Sequence, residues 1–77
     1  MIRLWLQSDD GDVVNYLYQA EDGKKGQVLY SRLHHGLKFL DDIIDDYPKN
    51  YRGHLNKKLY DMAKFDTFPD YEVIPFF

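Results

Sequence analysis

Three histidines are the first residues to consider for chemistry, because imidazole binds metals and transfers protons near neutral pH. His34 and His35 are adjacent, so in an extended segment their side chains point to opposite sides and cannot share one ion. His54 has no second histidine four residues away. A zinc or iron site needs several converging ligands, and the chain has no cysteine to supply them. We therefore expect histidines in turns or on the surface, no metal and no cofactor.

Two short segments resemble ion-binding loops but lack residues that such loops need. Asp10, Asp12 and Glu21 are spaced like ligands of an EF-hand loop. Asn15, however, stands where that loop requires glycine. The glycines and lysines of segment 23–26 lack the spacing and the following Ser or Thr of a phosphate-binding loop. Both segments are better explained as turns between strands.

The sequence gives little support to catalysis. Ser8 and Ser31 are the only serines, and neither lies in a Gly-x-Ser-x-Gly elbow. Acid–base catalysis by two carboxylates requires a cleft that separates their pKa values, and a chain of 77 residues has little room for one. We therefore predict that the protein is not an enzyme.

Charge is segregated along the chain. Residues 41–46 hold four aspartates, whereas the next stretch, 48–60, holds cations and no acidic residue. Cations in the first turn of a helix oppose its dipole by about 0.3–1 kcal/mol each. Lys49 and Arg52 therefore either pair with the aspartates just before them or bind an anionic partner.

We interpret the acidic run as an electrostatic contact for another protein or protein complex, anchored by aromatic and arginine side chains. The predicted partner-binding residues are Asp41, Asp42, Asp45, Asp46, Tyr47, Tyr51 and Arg52. The alternative is nucleic-acid or nucleotide binding by the basic half-helix 49–58, with Arg52, Lys57 and Lys58 as anion-binding residues. The net charge of −3 opposes phosphate binding, so we do not expect nucleic acid as the partner.

Length and composition indicate a single small globular domain over residues 1–77. Aromatic residues make up 17% of the chain, and a domain this small buries only about 60% of its unfolded surface. Some aromatic surface should therefore be exposed for binding, although aromatic rings also fill a small core well. The chain has no apolar run long enough to span a membrane and no signal-peptide pattern at residues 1–7. We therefore expect a cytoplasmic protein without membrane contacts.

Alternation with a period of two predicts strands in the first half of the chain. The predicted strands are segments 2–7, 13–19 and 27–32. Asp10-Gly11 predicts a tight turn between the first two, because glycine readily supplies a positive φ. Segment 21–26, with its two glycines, predicts the next turn. These features indicate an antiparallel meander.

Residues 37–46 leave two interpretations open. As a strand, the segment adds a fourth member to the meander across the His-His-Gly turn. As a helix, it places Leu37, Leu40 and Ile44 on one face. We favour the strand, because the preceding turn repeats the hairpin spacing. Pro48 ends either element.

The second half of the chain contains one amphipathic helix, from about Asn50, its predicted N-cap, to Phe65. Its apolar face comprises Tyr51, Leu55, Leu59, Met62 and Phe65. Residues 71–77 are β-prone and aromatic, and form either a last strand or an extended tail. Pro75 would place such a strand at a sheet edge.

The predicted fold class is α+β, with a meander of three or four strands, one helix packed on one face and a C-terminal aromatic strand. Trp5, Leu17 and Val28 are candidates for the sheet face that meets the helix, a choice that the sequence leaves open. A further alternative for function is a structural homo-oligomer or homodimer that pairs through strand 71–77.

In its order of features, the chain resembles a group of short uncharacterised proteins of Firmicutes and their phages and mobile elements. These proteins combine a tyrosine-rich meander with a glycine turn, a helix, a Phe-Pro break and a terminal aromatic pair. The matching residues are Tyr16-Leu17-Tyr18, Gly26-Gln27-Val28, Gly36, Leu59, Phe65, Phe68-Pro69, Val73 and Phe76-Phe77. The chain departs from the pattern at Asp70-Tyr71, where the group has glycine, and at Pro48 and Gly53. The resemblance implies a bacterial or phage origin and suggests an inhibitor of a bacterial defence or regulatory complex, comparable to anti-CRISPR proteins.

Overall fold

The computed structural model describes residues 1–75, and in that range it contains five strands, one α-helix and a single turn of 3-10 helix. The elements are β1 (Ile2–Asp9), β2 (Val13–Ala20), β3 (Lys25–Ser31), β4 (Gly36–Phe39), the 3-10 turn (Ile43–Asp46), α1 (Lys49–Lys64) and β5 (Tyr71–Ile74). The predicted α+β class is confirmed.

The strands form one antiparallel sheet in the order β4-β3-β2-β1-β5. The first four strands are a meander, and β5 returns from the helix to pair with β1, so that Trp5 lies opposite Tyr71. The C-terminal strand therefore lies at an edge, as Pro75 predicted. Phe76 and Phe77, which belonged to the predicted strand, lie outside the described residues.

The two predicted hairpin turns are confirmed. Gly11 has φ +96°, a conformation that glycine adopts without strain. The Asp10 carboxylate accepts hydrogen bonds from Asp12 N (3.0 Å) and Val13 N (2.7 Å) and fixes the same turn. In the second turn the residue in the left-handed region is Glu21, with φ 53°.

The helix begins and ends within one residue of the prediction, but two details of it were wrong. Asn50 is not the N-cap, because the chain enters the helix directly at Pro48, whose fixed φ already suits the first turn, and no side chain caps it. Phe65 is 71% exposed. It is the C-cap residue, where the backbone leaves helical geometry and the helical period no longer directs its ring inward.

The core lies between α1 and one face of the sheet. Leu55, Leu59 and Met62 of the helix are buried there. From the sheet, the buried hydrophobic residues are Ile2, Leu4, Val14, Tyr16, Tyr18, Ala20, Val28, Tyr30 and Ile74. Val28 faces the helix as predicted.

Trp5 and Leu17, the other two candidates for the helix-facing side, do not lie on it. They stand opposite each other on β1 and β2, on the face away from Leu4 and Tyr18. Tyrosine fills the core of β2 in place of Leu17 because its hydroxyl finds a partner at the core's edge. Tyr16 Oη donates to the Pro69 carbonyl at 2.6 Å.

The open question at residues 37–46 has a mixed answer. The first part forms the short strand β4, as favoured, but the chain then turns and residues 43–46 form the 3-10 turn. Asp41 causes the change of direction, since its carboxylate accepts hydrogen bonds from the backbone N–H groups of Gln27 (2.8 Å) and Ile43 (3.2 Å). The strand ladder therefore ends there, and Ile44 enters the core.

Candidate binding surface on the open face of the sheet

The structure uses the first predicted contact residue, Asp41, inside the molecule. Besides the two backbone N–H groups, its carboxylate accepts a hydrogen bond from Tyr18 Oη at 2.7 Å. Burial disfavours the charged carboxylate, but these hydrogen bonds outweigh it and hold the pKa of Asp41 below its usual range. All three donors come from the folded chain, so Asp41 stabilises the fold whatever else it contacts.

Of the other charged residues predicted for this contact, two pair with each other and two are exposed. Arg52 binds Asp45 (2.9 Å) and lies over the Phe39 ring, 4.6 Å from its centroid. This is the intramolecular pairing that the sequence left as one of two possibilities. Asp42 and Asp46 are exposed, and their carboxylates make no hydrogen bond or salt bridge with residues 1–75.

Tyr47 and Tyr51 lie together and hold the helix against the β2–β3 turn. Their ring centroids are 5.3 Å apart. Tyr51 Oη donates to Glu21 Oε1 at 3.0 Å, and this hydrogen bond raises the pKa of Tyr51. Tyr47 Oη occupies the space that a Cβ on Gly23 would need. The region of the predicted contact is thus assembled in one place, mostly by contacts within the chain; its role toward a partner stays a prediction.

Three of the four cations of the basic half-helix 49–58 lie next to acids, and Lys49 is the exception among the described contacts. Lys57 lies 3.5 Å from Asp61, and Lys58 lies 3.7 Å from Glu72 of β5. Arg52, the third residue of that alternative site, is paired as described above. The long acid-free stretch of the sequence therefore does not produce an unopposed positive surface on the helix.

Groups that hold metals or span membranes are not found in the described part of the chain. Within residues 1–75, no three His, Asp or Glu side chains come together as a metal site requires. Over the same residues, no helix is long and apolar enough to cross a membrane. His34 and His35 lie in the exposed turn before β4, and His54 is half-buried on α1.

The face of the sheet opposite α1 differs from the helix side, because its side chains are only partly buried while their neighbours in sequence are fully buried. We call it the open face. By register, its residues are Arg3, Trp5, Ser8, Val13, Asn15, Leu17, Gln19, Lys25, Gln27, Leu29, Ser31, Gly36, Lys38, Tyr71 and Val73. Within residues 1–75, no helix packs on this face.

Apolar side chains form the centre of the open face. Trp5 stands between Tyr71 of β5 and Leu17 of β2. The Trp5 and Tyr71 ring centroids are 5.8 Å apart. Leu29 of β3 extends the apolar area toward a shallow groove of about 290 Å³, which Val13 also lines. A tryptophan at the centre of a partly exposed apolar area is typical of residues that dominate binding energy.

The charges of the strands are sorted between the two faces. The strand cations Arg3, Lys25 and Lys38 all belong to the open face, and none makes a salt bridge with the described residues. The strand carboxylates Asp9 and Glu72 belong to the helix side, where each is in a salt bridge. The open face is therefore basic on a protein whose net charge is −3.

An amide side chain on this face lacks a hydrogen-bond partner. Asn15 Oδ1 is buried and accepts no hydrogen bond from residues 1–75. An unsatisfied buried acceptor costs about 1–3 kcal/mol. Asn56 Oδ1 of α1 lacks a partner in the same way, so the unsatisfied amide is not specific to the open face.

Sequence reasoning missed the open face because it sought chemistry in runs of charge. The signal was present in the alternation: Arg3 has the same parity as Trp5, and Lys25 has the same parity as Leu29. The carboxylates do not follow this alternation: Asp9 has the same parity as Arg3 and reaches the helix side only because the register shifts between Leu6 and Ser8, so the sorting of charge depends on a bulge that the sequence did not show.

Comparison with protein-family models, with curated proteins and with solved structures found no match for this chain. A functional argument for this protein therefore starts from the chemistry of its surface.

Proposed function

We propose that the protein is a non-catalytic protein-binding module that binds its partner through the open face of the sheet. The observation that carries the proposal is the uncovered apolar centre around Trp5 and Leu17, bordered by cations without salt-bridge partners. Interfaces combine such a centre with a polar rim and are enriched in Trp, Tyr and Arg.

The size of the open face supports a compact interface. Five strands spaced about 4.8 Å apart make a surface about 19 Å wide, and a strand of eight residues is about 26 Å long. The projected area is about 500 Å², below the roughly 800 Å² per partner of a standard interface. We therefore expect a small contact dominated by a few residues, with Trp5 at its centre.

The regions predicted from the sequence fit a supporting role. Asp41, Asp45 and Arg52 already have partners within the chain. Asp42 and Asp46 remain exposed and add negative charge beside the helix. The narrower hypothesis, an inhibitor of a bacterial defence or regulatory complex, stays a prediction that rests on the resemblance.

A matched pair of double variants tests this function. Leu17→Thr with Leu29→Thr removes apolar surface from the open face but keeps side chains that suit strands. The control, Leu33→Thr with Phe65→Thr, removes exposed apolar surface elsewhere, since these side chains are 73% and 71% exposed. Circular dichroism and thermal unfolding establish that both variants remain folded.

The readout is the set of proteins retained from a nuclease-treated bacterial lysate by each tagged protein. We expect a stoichiometric protein that the wild type and the control retain and the open-face variant loses. Equal retention by all three proteins, or retention that disappears with nuclease, would contradict the proposal.

A further inference from the structure

We infer that the partner is a polypeptide segment that presents carboxylates around apolar side chains, and that the open face selects it by charge. This inference rests on the proposed function and adds the chemistry of the partner. With the open-face cations Arg3, Lys25 and Lys38 set aside, seven cations and thirteen acids remain, a net charge of −6. The open face is therefore a basic island that attracts acidic groups while the rest of the surface repels them.

The three cations flank the apolar centre on two of its sides and do not enclose it. Arg3, Gln19 and Lys25 lie in one row across β1, β2 and β3. Two strand spacings separate Arg3 from Lys25, about 10 Å. Lys38 lies in the row of Leu29, about 14 Å from Lys25. A partner segment that reaches Lys25 and Lys38 passes over Gln27 and Leu29, with Leu17 on the neighbouring strand beside it.

Trp5 holds one of these cations in position. Lys25 Nζ lies 4.8 Å from the centroid of the Trp5 ring, a cation–π contact. Side chains that are ordered before binding lose less entropy when a partner arrives. The ammonium group is thus placed next to the apolar centre, where a carboxylate beside an apolar residue would meet both.

A second copy of this chain fits the open face poorly. In a two-fold contact each surface meets its own equivalent. Arg3, Lys25 and Lys38 would then face three cations of the same kind, and like charges across an interface are costly.

Nucleic acid also fits less well than an acidic polypeptide. Single strands bind by stacking bases on aromatic side chains along a basic groove. The open face offers two rings, Trp5 and Tyr71, tilted by 44° and packed against each other. Its other apolar residues, such as Leu17 and Leu29, are aliphatic and suit apolar side chains of a protein.

The single tryptophan of the chain makes the test direct, because Trp5 is the only such residue and lies on the open face. Its fluorescence is titrated at low salt with poly-L-glutamate, with a random copolymer of glutamate and leucine, and with oligothymidylate, all at matched charge. We expect binding in the order copolymer, poly-L-glutamate, oligothymidylate, and weaker binding as salt increases.

Two lysine variants make the result specific to the face. Lys25→Ala with Lys38→Ala should weaken copolymer binding about five- to tenfold, from two exposed charge pairs. The control, Lys49→Ala with Lys64→Ala, removes two cations that also lack a salt bridge with residues 1–75 but lie on α1. We expect it to bind as the wild type does.

Several outcomes would overturn the inference. Equal weakening in both lysine variants would mean attraction by net charge, and tighter binding of oligothymidylate would mean a nucleic-acid surface. A Trp5 fluorescence change that depends only on protein concentration, together with dimers detected by light scattering, would mean that the open face binds a second copy of the chain. If no polymer binds but Leu17→Thr with Leu29→Thr still loses its lysate partner, the proposed function stands and the acidic partner is wrong.

Discussion

The two faces of the sheet treat polar groups in opposite ways. On the helix side, Asp9 binds Arg32 with two hydrogen bonds of 2.6 and 2.8 Å, and Asp41 accepts three. On the open face, Lys25 and Lys38 have no carboxylate partner among the described residues, and Asn15 Oδ1 has no donor. The helix side holds these carboxylates within the chain, although Asn56 Oδ1 of α1 also lacks a donor, whereas the open face leaves its lysines without a carboxylate partner among the described residues.

This difference separates stability from function. Satisfied and buried groups stabilise the fold, so changes on the helix side should alter the free energy of unfolding. Unsatisfied and exposed groups contribute little to the fold, so changes on the open face should alter binding. Paired substitutions of the same chemical type, one on each side, test this separation.

The largest expected difference comes from one leucine on each side. Leu59 of α1 is fully buried, and Leu59→Ala should lower the free energy of unfolding by about 2–5 kcal/mol, from lost apolar burial and the cavity left behind. Leu29 is partly exposed on the open face, and Leu29→Ala should cost about 1 kcal/mol or less. Urea denaturation of both variants measures the difference. Similar losses would mean that the open face is covered in solution and that the comparison fails.

Two glycines give the next largest effect. A Cβ on Gly26 would lie 2.5 Å from the Tyr18 ring, so Gly26→Ala should destabilise the core by about 1–3 kcal/mol through overpacking. Gly53 lies on the exposed side of α1 with nothing within 4 Å of such a Cβ. Gly53→Ala should raise the free energy of unfolding by about 0.5–1 kcal/mol, because alanine favours the helix. Thermal unfolding measures both effects. Midpoints that shift in the same direction in both variants would contradict this account.

Acid should act on the helix side through Asp41. Because the pKa of Asp41 is lowered in the folded protein, its carboxylate stabilises the fold fully at pH values above the unfolded-state pKa of about 4. This stabilisation is lost as the pH falls through the folded-state pKa. Asp41→Asn should lower the free energy of unfolding by about 1–2 kcal/mol at pH 7. The asparagine amide has a single oxygen, so its NH2 group would point at one of the three donors that now bind the carboxylate. Wild type and variant should converge at low pH.

Urea midpoints measured from pH 7 to about pH 2 test the role of Asp41. Asp42→Asn is the matched control, because the Asp42 carboxylate is exposed and makes no hydrogen bond within residues 1–75. If both variants lost the same stability relative to the wild type, the Asp41 hydrogen bonds would not stabilise the fold. The same conclusion would follow if the stability difference between Asp41→Asn and the wild type were constant at all pH values.

Local patterns in the sequence predicted most of the fold. The alternation of strands, the glycine turn and the helical spacing of Leu55 and Leu59 each depend on nearby residues. The orientation of the sheet could not be predicted, because β1 and β2 carry apolar or aromatic residues on both faces. The partners of Tyr16 and Tyr18 decided it, and these come from Pro69 and Asp41, far along the chain.

The candidate surface was harder to predict for the same reason. Charge along the chain pointed to the aspartates of 41–46 and the cations of 49–58. Folding brings Asp61 and Glu72 to two of those cations and neutralises them. It also gathers three isolated cations from different strands onto one face, an arrangement that depends on register.

The smallest effect concerns two lysines. Lys57 pairs with Asp61 one helical turn later, with 78% and 54% exposed side chains, so Lys57→Ala should change the free energy of unfolding by less than about 0.5 kcal/mol. Lys25→Ala also loses its contact with the Trp5 ring, which is worth about 0.5–1 kcal/mol at an exposed site. The free energies of unfolding of the two variants should therefore be nearly the same. Binding of the glutamate–leucine copolymer, in contrast, should weaken only in Lys25→Ala. Equal weakening in Lys57→Ala would show that the half-helix 49–58 takes part in binding despite its internal salt bridges.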